Sequence, residues 1–154
     1  MHSQLHAPSL LGLFGALLML CPEQLLGNTE VLSDLPINAP GVRNVLVFAV
    51  EQYNKDKIDD GNYYKLKYVL KIQSPVTNRN KYCLMVHMVK TECEKTSEKS
   101  YREIQKCTGL PGLSNNPACF FKIMVGSSPN NMNLAMTACS TTLRQPPHNL
   151  FCSG

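Results

Sequence analysis

Between Val42 and Ile72 the spacing of apolar side chains switches from a period near 3.6 to a period of two, and this switch most constrains the fold. Val42, Val45, Leu46, Ala49, Val50 and Tyr53 recur at three- and four-residue intervals, with Arg43, Asn44, Glu51 and Gln52 between them. That pattern predicts an amphipathic helix of about four turns, opened by Pro40-Gly41 and ending near Asn54–Lys57. Asp59-Asp60-Gly61-Asn62 is the turn beyond it. From Tyr64 onward the apolar set is Tyr64, Leu66, Tyr68, Leu70 and Ile72, with Lys65, Lys67 and Lys71 alternating. Strict alternation predicts a long antiparallel strand buried on one side.

The second half of the chain continues the strand pattern. After a turn from Ser74-Pro75 to Asn80, Tyr82, Leu84, Val86 and Met88 repeat the alternation, with Lys81, Cys83, Met85 and His87 on the opposite face. A hairpin follows. Glu94 to Lys106 is polar and Lys/Glu-rich, and Thr108 to Pro117 is studded with Gly, Pro and Asn, so this stretch reads as a long excursion without a core of its own. Two further strands, Cys119–Val125 and Met132–Cys139, flank the turn Gly126-Ser127-Ser128-Pro129-Asn130-Asn131. The fold class is therefore α+β: one long N-terminal helix packed on a four- to five-stranded antiparallel sheet.

With 154 residues the chain holds one domain's worth of core. Ser9 to Leu20 is an apolar run closed by Cys21-Pro22, too short to span a bilayer, and reads as a signal peptide cut near Gly27-Asn28. The expected organisation is a signal peptide at 1–27, a domain at 28–142 and a C-terminal extension at 143–154. Cleavage removes Glu23 and Cys21 but no Lys or Arg, leaving 15 basic against 10 acidic residues, a charge of +5, and six cysteines. An even cysteine count in a small secreted chain points to disulfides. There is no CxxC pair, and His87 and His148 stand apart from any partner motif, so neither a metal nor a cofactor is expected. Cys83 and His87 lie four apart on one strand face, about 13 Å at strand rise, too far for a catalytic dyad. No enzyme activity is expected, and the sequence contains no Asn-x-Ser/Thr sequon.

Several motifs together carry a resemblance. Gly41-Val42-Arg43 opens the helix, Phe48-Ala49-Val50-Glu51-Gln52-Tyr53-Asn54-Lys55 continues it, and Tyr82-Cys83-Leu84-Met85-Val86 follows the hairpin. With two closely placed cysteine pairs and 19 residues between Cys119 and Cys139, the chain resembles the secreted, type 2 cystatins from about Leu35 to Cys139. A cathelicidin-type prodomain shares the general fold but fits the helix and the next strand less well. The resemblance implies bridges Cys93–Cys107 and Cys119–Cys139, and inhibition of papain-like cysteine proteases by a three-part apolar wedge. That wedge comprises a glycine near the mature N-terminus, a Gln-x-Val-x-Gly turn and a Pro-Trp pair.

Carried over residue by residue, the wedge is eroded. Alignment on Tyr82 places the first turn on Pro75-Val76-Thr77-Asn78-Arg79, where only Thr77 resembles the motif. Starting instead at Gln73 recovers the Gln but neither Val nor Gly. The second turn falls on Ser127-Ser128, the chain has no Trp, and no glycine lies between Asn28 and Pro40. Weak or absent inhibition is the expectation, because a large rigid anchor has become a small polar residue. The asparagine with which some cystatins engage legumain-type proteases aligns with Asp59, while Asn62 reads as an ordinary turn residue. The eroded wedge and Val76-Thr77-Asn78 resemble the reproductive-tract subgroup, associated with sperm maturation and ordered self-assembly.

Cys83 and Cys152 remain after those bridges. Alternation puts Cys83 with Lys81 and His87, away from the helix, where it should not be a buried packing thiol. A third bridge pinning the tail across the outer sheet face competes with an intermolecular disulfide and with two free thiols. Lys65, Lys67 and Lys71 read first as a solvated face, although a charge of +5 permits salt-sensitive attraction to anionic surfaces. Nucleic-acid recognition lacks any motif beyond charge. Apolar strands with open edges also make the chain itself a candidate partner, through a dimer or β-assembly. Two function classes follow: a cystatin-type protease inhibitor with an impaired wedge, and a non-inhibitory protein that self-assembles or binds cell, sperm or microbial surfaces.

Overall fold

The computed structural model describes residues 31–128, 130–141 and Cys152; the expected signal peptide and nearly all of the C-terminal extension lie outside them. The chain divides at Val31–Leu32, and everything described below belongs to the unit that begins at Leu32.

The helical period produces α1, Val42–Asp56. Gly41 caps its start with φ of 83°, a left-handed conformation that disfavours a side chain, and an added Cβ would come within 3.0 Å of the Tyr82 hydroxyl. The predicted stripe Val42, Val45, Leu46, Ala49, Val50 and Tyr53 is buried along its whole length. It packs on one face of a five-stranded antiparallel sheet in sequential order: β1 (Leu32–Asp34), β2 (Asn62–Pro75), β3 (Lys81–Glu94), β4 (Ala118–Val125) and β5 (Met132–Ser140). Leu84, Val86, Met88, Cys119, Phe121 and Ile123 supply the sheet side of this core. Tyr53 meets Tyr64 and Phe121 edge to face, at 5.2 and 6.2 Å between ring centres.

Three expectations need correction. First, β2 does not alternate strictly. Register shifts between Leu66 and Tyr68, and again between Val69 and Lys71, insert extra residues, so the phase changes along the strand. Leu66 and Val69 turn to the core, while Tyr68 and Leu70 are 48% and 36% exposed. Second, the excursion after β3 has a helix, α2 (Tyr101–Gln105), started by a capping box in which Ser100 and Glu103 exchange hydrogen bonds. Its Ile104 is buried. Third, Cys83 is fully buried, in a second small cluster with Met85, Phe120 and Cys152 on the sheet face opposite α1. Alternation told the face correctly but not the cover, because a residue distant in sequence provides it.

Bridges close between Cys93 and Cys107, Cys119 and Cys139, and Cys83 and Cys152. The third brings Cys152, 69 residues downstream, onto the outer face beside the Gln73 carbonyl and against Leu32 of β1. Among the described residues no helix is long and apolar enough to cross a membrane, and no group of side chains could hold a metal.

Candidate functional site

The sequence-derived wedge residues meet at one end of the sheet. The β2–β3 turn is closed by the Asn78 amide donating to the Pro75 carbonyl (3.1 Å) and the Lys81 amide to the Asn78 carbonyl (3.3 Å). The Asn78 side chain also accepts from the Asn80 amide (3.2 Å). The β4–β5 turn is closed by the Gly126 amide on the Asn131 carbonyl (2.6 Å). A Cβ on Gly126 would lie 2.5 Å from the Asn131 side-chain nitrogen, so a larger residue here has to displace that side chain. The Val125 amide donates to the Asn80 carbonyl (2.7 Å) and ties the two turns side by side.

β1 completes the rim, and sequence periodicity missed it because three residues are too short to show alternation. Leu32 pairs with Pro75 and Asp34 with Gln73, whose side-chain amide donates to the Asp34 carboxylate (2.7 Å). Arg79 donates to the Ser33 hydroxyl (2.5 Å), and Ser33 donates to the Ser74 carbonyl (3.2 Å). The tips differ in what they present. Pro75 is buried at the end of β2, whereas Val76, Thr77, Arg79, Ser127 and Ser128 are exposed and Asn78 is half-buried. A cleft of about 250 Å³ separates the second turn from the start of α1, between Asn44, Tyr82, Val125 and Met132.

Charge organises the opposite end of the sheet. Asp60 accepts from the Asn62 amide (3.1 Å) and the Tyr64 hydroxyl (2.9 Å), and pairs with Lys90 (3.2 Å). Partial burial pushes its carboxyl up, but these hydrogen bonds and the Lys90 charge outweigh it and hold it below the usual carboxylate range. Burial, followed by the hydrogen bond to Asp60, raises the Tyr64 hydroxyl to about 12. The Lys95 ammonium donates to the Asn54 and Lys57 carbonyls (both 2.8 Å), closing the C-terminus of α1. Asp59 lies exposed in this loop, beside Ile58 at 88% exposure. Asn62 is committed internally, its side-chain amide donating to the Thr91 carbonyl (2.8 Å).

Comparison with known proteins assigns this architecture. A cystatin domain matches residues 31–125. The chain belongs to the cystatin family. Cystatin-1 of Crotalus adamanteus is 33% identical over 143 residues, covering 91% of this chain and 100% of that protein. A cystatin of Naja kaouthia is 35% identical over 125 residues, 79% of this chain and 86% of that one. The crystal structure of dimeric human cystatin F superposes with a TM-score of 0.58 at 16% identity, covering 77% of this chain and 90% of that one. These relationships support a type 2 cystatin, a member of a family of cysteine protease inhibitors and not of enzymes. In this cystatin β1 and the two turns lie together at one end of the sheet, with Arg79, Ser127 and Ser128 exposed there.

Proposed function

We propose that this secreted cystatin retains the inhibitory scaffold but inhibits papain-like cysteine proteases weakly or not at all. The observation that carries this reading is Arg79, exposed in the first turn and hydrogen-bonded to Ser33 of β1. An apolar active-site cleft would have to strip water from that guanidinium, which is costly without a buried counter-charge. Ser127 and Ser128 offer no aromatic anchor beside it. Secretion is supported by the leader-like run at 1–27 and by three disulfides, which persist in oxidising compartments. Amino-terminal sequencing of the exported chain should begin near Asn28.

Titration of the oxidised mature chain against papain and a lysosomal cathepsin tests the reading. No inhibition at micromolar concentration supports it, and nanomolar inhibition overturns it. Arg79→Gly combined with Ser127→Pro and Ser128→Trp should gain inhibition by about thirtyfold or more, the worth of one buried aromatic anchor.

The second reading is a non-inhibitory role, of the kind associated with reproductive-tract cystatins, through self-assembly or surface binding. It is favoured by β5, an edge strand of nine residues with neither a charged side chain nor proline, the devices that normally discourage strand addition. That the related human cystatin F is dimeric fits the same reading. Light scattering across a concentration series that finds only monomer removes the self-assembly branch.

A further inference from the structure

We infer that the groove between β2 and the segment 105–116 binds a linear sulfated glycan, with Lys65 and Lys67 as cationic contacts and Tyr68, exposed beside Lys67 just outside the groove, as a stacking platform. This deepens the surface-binding reading above and rests on it. β2 carries Lys65, Lys67 and Lys71 and has neither Asp nor Glu anywhere between Asn62 and Pro75. Lys65 and Lys71 lie opposite Val89 and Met85, four β3 steps or about 13 Å apart at strand rise, a row of positive charge suited to an extended polyanion.

The bulges give this row its form. Pairing of Lys65 with Val89, Tyr68 with His87 and Lys71 with Met85 puts these β2 residues on the sheet face away from α1, while the extra residue Lys67 is exposed. Lys67 bends over the Tyr68 ring, 5.9 Å from its centre, and donates to the Asn116 side chain (3.0 Å). Lys65 and Lys67 form one wall of a groove of about 650 Å³, and Gln105, Gly109 to Gly112 and Asn116 form the other. No lining residue is acidic. Arg102 and Lys106 stand exposed on either side of Gln105 in sequence; Glu103, the carboxylate between them, is engaged by the Ser100 amide.

An exposed tyrosine set among lysines fits a sugar better than a bare phosphate, because apolar sugar faces stack on rings while ammonium groups take the sulfates. The groove wall is predominantly polar, which disfavours an anionic bilayer.

The test is retention of the full oxidised mature chain on immobilised heparin under a salt gradient, with solution Kd for a heparin oligosaccharide. Lys65→Gln/Lys67→Gln should weaken binding about tenfold. Lys55→Gln/Lys99→Gln, which removes the same charge elsewhere, should leave it within about twofold. Tyr68→Ala should weaken binding by a factor that persists as salt rises. Thermal unfolding verifies that each variant folds. Equal losses from both lysine pairs, or undiminished binding of desulfated heparin, overturn the assignment to this groove. Stronger binding to phosphatidylserine vesicles than to heparin overturns the glycan class but leaves surface binding intact. No wild-type binding to either probe overturns the surface-binding reading itself.

Discussion

Asn54 is the residue on which the join between helix and sheet depends. Buried at the last turn of α1, it donates to the Val50 and Tyr64 carbonyls (3.0 and 2.8 Å) and accepts from the Tyr64 amide (2.7 Å). Its side chain thereby satisfies both backbone groups of Tyr64 where β2 begins. Asn54→Ala strands these buried groups and should cost about 2–3 kcal/mol in chemical denaturation. Asp60, six residues on, acts through charge. Its carboxyl ionises at lower pH in the folded than in the unfolded chain, so it stabilises above the unfolded value of about pH 4. That contribution disappears as pH falls through the folded value. Asp60→Asn should therefore cost about 1 kcal/mol or less at pH 7, given its partial exposure, and a smaller amount at pH 3. A denaturation series that shows the same deficit at both pH values would locate the loss in shape rather than in ionisation.

At the scale of elements, α2 protects an edge. β1 covers only the last three residues of β2, and farther back the Gln105 side chain takes over, accepting from the Leu66 amide (2.8 Å) and donating to the Leu66 carbonyl (3.1 Å). A side-chain amide here mimics a neighbouring strand and blunts edge-to-edge pairing. Gln105→Ala should lower stability by about 1 kcal/mol and raise the light-scattering signal of concentrated samples. Ser100→Ala, which removes the cap of α2, should act in the same direction by about 1 kcal/mol. The capping signature Ser100-Tyr-Arg-Glu103 was legible in the sequence but sat in a charged stretch without an apolar period. One buried residue, Ile104, suffices to hold so short a helix to the sheet.

Across the whole molecule, the Cys83–Cys152 bridge makes the strongest prediction. It closes a long loop and helps to cover Met85 and Phe120, so replacing both cysteines by alanine should cost about 2–4 kcal/mol. Equilibrium denaturation of the double variant measures it, with no free thiol to reshuffle. The amino-acid sequence alone determined the order of α1 and β2 to β5, the buried stripe of α1 and both hairpins, because period and turn chemistry are local. The same holds for the residues at the turn tips: Val76 to Arg79 and Ser127-Ser128 were identifiable by alignment on Tyr82 and Cys119. Only the tertiary structure decided the phase of β2 after its two bulges, since a bulge is defined by the strand opposite. It likewise decided the pairing of Leu32 with Pro75, the reach of Gln105 to Leu66 and the burial of Cys83 by Cys152. Each of these joins residues 39 or more apart in sequence, beyond the range of any local pattern, and forms only when packing brings them within bonding distance.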